Sequence, residues 1–409
     1  MKNLFIRLGL SAALLSVAGS ALADEKSEMF NPLQSAVPSL SIAPDARGGG
    51  MGDIGVATSP DLNSQYWNLA KYAQMSGQGG ASLSYTPWLR KIVDDIYMAY
   101  LAGYYKLGEN RALSASLRYF SYGDIELTSG KDAMGNVQSI GSCRPYEFAV
   151  DLGYSMMLSE YWSAGVALRF IYSDITNGMS SDGSSASAAK AIAADLGAYY
   201  RKPIALTETR NAYVGFGASA SNIGSKVSYD DGDTEEFLPA NLRVGGSFEY
   251  PFDDYSTLTL AFDLNKLMVP TAPVCPTKRA DETKEQYDAR VKEYEKKYED
   301  YQKKGSIGGI FRSFTDAPGG FSEEMDEIMW SLGLEYAYNK QFFVRGGYFH
   351  EAESKGNRKY FSVGAGFKLS MFELNGAYLI AQSSNNPLDQ TLRFSLGFNI
   401  DGLKKIVEE

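Results

Sequence analysis

The sequence predicts an all-β protein: a transmembrane antiparallel β-barrel of about fourteen strands, with an amino-terminal plug segment and long external loops. Three observations predict it. Apolar residues recur with period two over long segments, the connections between those segments alternate short and long, and nothing beyond the first 23 residues approaches the ~20 consecutive apolar residues a membrane helix needs. A membrane strand needs only ~9 to 11 residues with one apolar face.

The alternation is clearest at 391–400, where Leu392, Phe394, Leu396, Phe398 and Ile400 alternate with Thr391, Arg393, Ser395, Gly397 and Asn399. All the apolar side chains of such a strand point to one face. The same split occurs at 162–173, with Trp162, Val166, Leu168 and Phe170 opposing Ser163, Gly165 and Arg169, and at 328–338, with Trp330, Leu332 and Leu334 opposing Ser331, Gly333 and Glu335. Fourteen segments of this kind run at 81–88, 94–107, 111–127, 145–158, 162–176, 188–203, 212–224, 238–252, 257–268, 327–339, 342–353, 359–370, 372–381 and 390–400. An even number suits a closed bacterial barrel. Connections after even-numbered segments are short, with an exception around 204–211; those after odd-numbered segments are longer, reaching 269–326. Short periplasmic turns and long external loops are the rule for such barrels. A soluble sandwich or propeller also alternates, but strands of 12 to 17 residues far exceed the ~5 or 6 usual in soluble sheets.

The first residues carry Lys2 and Arg7, an apolar run from Leu8 to Val17, and Ala21-Leu22-Ala23, the pattern of a secretory signal peptide over 1–23. Cleavage would start the mature chain at Asp24. No Cys near that junction is placed to carry a lipid. The composition includes 28 Tyr, 21 Phe and 41 Gly, with a formal charge of −10, and aromatic rings favour membrane–water boundaries. Net negative charge without a basic tract offers nucleic acid no electrostatic footprint.

Candidates for chemistry are few. His350, the one histidine, falls at the end of the eleventh segment with no Ser or Cys nucleophile in reach of its sequence neighbourhood, and no metal-ligand pattern surrounds it. The run Gly48-Gly49-Gly50-Met51-Gly52 lacks the strand-to-helix setting of a phosphate cradle, and tight backbone packing beneath the barrel explains it better. Catalytic residues, cofactors and bound metals are therefore not expected. The acidic loop 230–236 has carboxylates enough for calcium but not the order of a calcium loop; a solvated acidic loop is the competing reading. Cys143 and Cys275 fall in the second and fifth external loops. They form either a disulfide or two free thiols.

The face opposite the lipid-facing stripe carries Arg118, Arg169, Arg243, Arg345, Lys368 and Arg393, against Glu147, Asp151, Glu249, Asp263, Glu335 and Glu373. Charges of both signs mean a polar lumen, and ion pairs that fill and rigidify the barrel account for them best. Within the long insert, 281–304 has helical composition, and Tyr287, Val291, Tyr294, Tyr298 and Tyr301 fall on one helical face. That stripe either packs on its own loop or docks a partner.

The stretch from Asp45 through Arg47-Gly48-Gly49-Gly50-Met51-Gly52-Asp53 to Tyr66-Trp67-Asn68-Leu69-Ala70 resembles the amino-terminal signature of FadL-like outer-membrane barrels, and most closely that of the PorV family of type IX secretion proteins. The likeness extends through 81–90, Asp94 to Tyr100, Leu260 to Met268 and Phe314 to Glu324. One departure is Asn68-Leu69-Ala70, where the wider barrel group usually has Asn-Pro-Ala; losing the Pro leaves the turn less fixed in φ.

The resemblance implies an outer-membrane, non-enzymatic component of type IX secretion with loops at the cell surface. Its implied partners are the translocon barrel, secreted proteins carrying a conserved C-terminal domain, which it would hold and pass on, and a sortase-like attachment complex. Outer-membrane lipid would surround it. Residues 24–80 would form the plug, 81–400 the barrel and 401–409 a periplasmic tail. Contacts to partners would come from the external loops, with Trp88, Tyr287, Tyr294, Tyr298 and Tyr301 as anchors. The alternative is a FadL-like channel for long-chain hydrophobic small molecules, against which the charged lumen counts; a plug-length amino terminus argues against an open diffusion porin.

Overall fold

The period-two segments become fourteen long strands that close on themselves. In the computed structural model, residues 30–128, 138–175, 187–230, 232, 234–278, 282–382, 386 and 388–401 are described; the expected signal peptide and all of the tail except Asp401 lie outside them. The strands are β1 Gly79–Pro87, β2 Tyr97–Lys106, β3 Arg111–Ser121, β4 Ile125–Thr128, β5 Ser139–Cys143, β6 Tyr146–Met157, β7 Trp162–Asp174 and β8 Ala189–Ala205. They continue as β9 Asn211–Gly224, β10 Asn241–Pro251, β11 Ser256–Leu267, β12 Ile328–Tyr338, β13 Phe342–His350, β14 Lys359–Leu369, β15 Phe372–Ala381 and β16 Leu392–Asn399. All but β4 and β5 form one closed antiparallel barrel in chain order. It is sealed by β1 against β16, with Leu83 opposite Leu396 and Tyr85 opposite Phe394. Closure leaves no unpaired edge, which a lipid environment demands.

Every segment expected to be a strand is one. The third ends earlier than expected, at Ser121 rather than 127, because the chain turns at Gly123 with φ +78°. Beyond it β4 and β5 pair as a separate hairpin. The apparent exception at 204–211 disappears, because β8 runs to Ala205 and leaves only 206–210 as a turn. All turns at that end, 107–110, 158–161, 206–210, 252–255, 339–341 and 370–371, are now short. The opposite end carries the long loops, including the insert 268–327 between β11 and β12.

Outward positions are apolar and exposed, among them Leu152, Leu168, Ile192, Leu260, Leu332 and Leu374, the surface a hydrocarbon solvent requires. Rings gather where this wall meets water. Near the long-loop end Tyr85, Tyr97, Tyr119, Tyr146 and Tyr172 form a chain with centroids 5.7–6.1 Å apart. Trp330, Tyr348 and Phe361 extend it on β12–β14 at 4.9–5.5 Å. His350 belongs to this girdle, stacked on Trp330 at 5.0 Å. At the short-turn end the pairs Trp162–Tyr200, Tyr255–Tyr338 and Phe342–Phe367 make a second girdle.

The amino-terminal segment is the plug. It makes four short helices, Pro38–Ser41, Ala46–Gly49, Ser64–Trp67 and Leu69–Gln74, and is buried along most of its length. Its glycine run is packed inside the barrel and not beneath it, since the plug backbone rests directly on the wall. Gly52 holds φ +81°, and a Cβ there would lie 2.8 Å from the Tyr348 backbone nitrogen. From the wall side, a Cβ on Gly347 would sit 2.0 Å from the Met51 carbonyl carbon.

Gly347→Val should therefore unseat the plug, an overpacking cost of at least about 1–3 kcal/mol, whereas Gly376→Val on the lipid side, where nothing lies within 4 Å, should be neutral. The folded, heat-modifiable band on gels reports both. Equal melting of the two variants would contradict the assigned facing of these strands.

Candidate functional site: a plugged lumen and its long-loop vestibule

Charged residues cannot line a barrel unpaired, and the plug carries the partners they need. Glu335 on β12 takes a two-pronged pair from Arg47 of the plug, Nε at 3.1 Å and Nη2 at 2.9 Å. It also accepts Arg345 Nε at 2.6 Å, and Arg345 continues to Asn375 at 2.7 Å. Arg47 reaches Asp61 within the plug at 2.8 Å. Arg393 on β16 pairs with Asp53, which also accepts the Tyr360 hydroxyl at 2.6 Å. Asp263 on β11 accepts the N–H groups of Gly55 and Val56 at 2.9 and 3.0 Å. Arg118 donates to the carbonyls of Ser39 and Ile42, and Arg243 donates to the Tyr66 hydroxyl at 2.9 Å. Both guanidiniums lie over the Tyr66 ring, at 4.9 and 4.6 Å.

The remaining lumen charges pair mainly with the wall and its loops. Arg169 bridges Asp151, at 2.6 and 2.7 Å, and Asp195, at 2.8 Å. Glu147 accepts the Tyr122 hydroxyl at 2.7 Å, and Glu249 pairs with Arg201 at 3.0 Å. Lys368 and Glu373 sit 3.7 Å from each other near the short-turn mouth, with Lys368 half-exposed. Glu373 also accepts the Asn375 side-chain amide at 3.0 Å, which links it to the Arg345 cluster beneath the plug. Asp45, Arg47, Asp53 and Asp61 were not among the expected lumen charges. Their signal was visible, since the signature run itself is unusually charged for a glycine-rich stretch.

The plug also organises itself. Asp45 caps its helix by accepting the Gly48 N–H at 2.8 Å, and its other oxygen takes the Trp67 indole N–H at 2.6 Å. Lys71, fully buried, donates to the Gly55 carbonyl at 2.9 Å and the Thr58 hydroxyl at 3.2 Å. Asn68 bridges plug to wall through the carbonyls of Val56 and Ala198. Its neighbour Leu69 lies buried against Tyr72, Tyr104 and Ala167, so the position where the wider group has Pro is held by packing instead.

Above the plug, a vestibule of about 700 Å³ opens at the long-loop end. Leu33, Ile42, Trp88, Leu89, Phe120 and Leu388 give it apolar walls, and its floor carries Asp53 and Arg393. Beside the floor Arg358 forks onto Glu351 at 2.6 and 2.7 Å, while Lys355 binds Glu323 at 2.6 Å and Glu327 at 3.0 Å. Burial works against ionisation of Glu323, but the Lys355 ammonium and the Gly319 N–H hold its carboxyl below the usual range. Among the described residues, none lines both this vestibule and the cavities at the short-turn end, which are bordered by Arg47, Asp61, Arg201 and Lys368.

Of the expected loop anchors, Trp88 is half-buried in the vestibule wall. The predicted helix forms as Lys284–Gln302, closed by a Thr283/Gln286 capping box. Its tyrosine stripe is graded. Tyr301 is buried edge-on against Phe237 at 5.6 Å, and that burial, with Tyr298 beside it, pushes its phenol up to about 12. Tyr287 and Tyr294 are half-buried, and Tyr298 is exposed. Cys143 and Cys275 are both free thiols, one of the two readings the sequence left open: Cys143 is buried in the β4–β5 hairpin opposite Ile125, whereas Cys275 is exposed on the insert. In the acidic loop, with Asp231 and Asp233 outside the described residues, Asp230 is already occupied. The Ser228 hydroxyl and the Thr234 N–H, at 2.7 and 2.8 Å, hold its carboxyl down to about 2. Among the described residues no cluster of three or more His, Cys, Asp or Glu could hold a metal.

The family model described as type IX secretion system protein PorV matches residues 25–274, more than half of the chain and nearly all of the plug segment. The chain belongs to the PorV family. It is therefore an outer-membrane β-barrel of type IX secretion. No curated protein matches it. Among solved structures it is similar to the toluene transporter TbuX of Ralstonia pickettii, with 13% identity over 88% of this chain and 98% of that one at a TM-score of 0.46. It is similar also to the toluene transporter TodX of Pseudomonas putida, with 11% identity over 90% and 98% at 0.46, and to a Pseudomonas aeruginosa FadL homologue, with 10% identity over 90% and 99% at 0.42. Likenesses at this level add nothing to the strand order already described.

Arg47→Ala, which leaves Arg345 and Glu335 without their plug partner, should destabilise this PorV-family barrel by about 3–5 kcal/mol, the usual cost of breaking a buried pair. Urea unfolding in detergent measures it, and a loss under ~1 kcal/mol would show that the pair does not hold the plug. For the thiols, maleimide applied to intact protein without reductant should label Cys275 at once and Cys143 only after unfolding. Failure to label either before reduction would restore the bridge.

Proposed function

We propose that this protein receives secreted cargo carrying the conserved C-terminal domain as it leaves the type IX translocon barrel, holds it at the cell surface, and delivers it to a sortase-like attachment complex. It does this without catalysing a reaction. The long-loop end faces the exterior in this reading, and the vestibule rim and insert supply the contacts. One observation carries the proposal: the lumen of this secretion-family barrel is filled by an ion-paired plug, which leaves the long-loop end as its working surface. Trp88 at the rim and Tyr298 on the insert helix are the anchors, since half-buried and exposed aromatic rings provide much of the energy at protein interfaces.

A second reading, a channel for long-chain hydrophobic molecules, is favoured by the apolar walls of the vestibule and its volume. The charged floor and the seated plug oppose it.

Affinity purification from the native outer membrane in mild detergent distinguishes the two. The shuttle predicts co-recovery of a large translocon barrel and of secreted proteins that share a C-terminal domain. Trp88→Ala combined with Tyr298→Ala should cut cargo recovery by about tenfold, the scale of one interface anchor, while the heat-modifiable band stays unchanged. Recovery of the barrel alone with bound fatty acid would sink the proposal.

A further inference from the structure

The aromatic girdle at the long-loop end has a gap. Rings occupy it on β1–β3, β6, β7 and β12–β14. On β8–β11 the outward positions nearest that end are instead Lys190 and Ile192, Ala220 and Ile223, Leu242 and Val244, and Leu264 and Lys266. None is aromatic. The insert 268–327 lies over this same arc, with helix Ser306–Arg312 against β9 and helix Phe321–Asp326 against the start of β12.

The register of Lys266 fixes which side of the wall the insert covers. Leu264 pairs with Trp330 and Lys266 with Ile328, so Lys266 leaves β11 toward the lipid side. An outward lysine at a rim should be exposed. This one is 7% exposed, because the insert folds over the lip: Glu324 and Glu327 bind its ammonium at 3.1 and 2.6 Å, and the Phe314 ring lies 5.6 Å away. At 3.6 residues per turn, binding Lys355 and Lys266 through Glu323 and Glu327 turns the opposite face of helix Phe321–Asp326, Phe321 and Met325, away from the protein. The neighbouring helix behaves alike. Gly309 is pressed against Phe237 and Pro270, where a Cβ would lie 2.7 and 2.9 Å away, which turns Ile307 and Phe311 outward. Phe311 is 73% and Phe321 81% exposed.

We infer that residues 306–326 are an interfacial membrane anchor: Ile307, Phe311, Phe321 and Met325 enter the leaflet on the long-loop side and complete the girdle over β8–β11. The occupant of this face is lipid. The face is continuous with the apolar wall below it, and four large apolar side chains held apart from their own protein have lipid as their nearest apolar phase. The carboxylate face of the short helix does the opposite, holding the segment at the rim so that it cannot sink.

Site-directed spin labelling tests the anchor on the full chain, with Cys143→Ala and Cys275→Ser as background, in nanodiscs of phosphatidylcholine and phosphatidylglycerol containing no other protein. Nitroxides at Phe311 and Phe321 should show a several-fold higher ratio of oxygen to nickel-chelate relaxation than one at Lys297 on the solvent-exposed helix, approaching that at Leu332 on the lipid wall. A ratio equal to that at Lys297 overturns the anchor. So does protection from both relaxants that appears only in native membranes holding the rest of the secretion apparatus, because a protein would then cover the face. Neither result bears on cargo transfer, which the purification reads separately.

Discussion

The buried convergence of Arg47 and Arg345 on Glu335 is the interaction on which the rest of this molecule depends. A barrel whose outer wall is apolar must turn its polar alternates inward, and an interior of that width holding charge has two stable solutions: fill with water or fill with matched partners. This chain takes the second. Two arginines from different parts of the sequence converge on one carboxylate, and the same logic recurs at Asp53 with Arg393 and at Asp263 with two plug N–H groups. Neutralising the lumen and blocking it are a single structural act.

Glycine does the complementary work. Where charge pairs draw the plug in, Gly347 and Gly52 let main chain meet main chain, so that no side chain intervenes between plug and wall. A plug attached only by salt bridges would rattle and admit water, which would screen those bridges. Close backbone contact limits that freedom, and the low dielectric of the packed surroundings strengthens the pairs.

Much of this was legible in the residues. Period-two patterning located all fourteen wall strands, because facing is decided by solvent on one side and packing on the other. The lumen charges Arg118, Arg169, Arg243, Glu335, Arg345 and Arg393 could be named from parity alone. Their partners could not, since pairing across a lumen depends on the path of a segment that has no period. The loop region was harder still. Tyr298 and Tyr301 share a helical face, yet one is exposed and the other packs on Phe237, a difference set by a neighbouring loop. Cys143 lies buried in a hairpin that the sequence concealed within a presumed strand end and its loop.

The spans between partners impose an order on assembly. Arg47 lies 288 residues from Glu335, and Asp53 lies 340 from Arg393, so the plug emerges first from the export channel and finds its counter-charges only when the last strands arrive. Contacts so distant in sequence close slowly, since loop entropy must be met before they stabilise anything. Until then Arg47, Asp53, Asp61 and Lys71 are ordinary solvated charges on a soluble leader. The plug's partners Glu335 and Arg393 lie late in the chain and β1 closes on β16, so the seating of the plug and the sealing of the wall both wait for the carboxy-terminal strands and draw on the same two ends of the sequence.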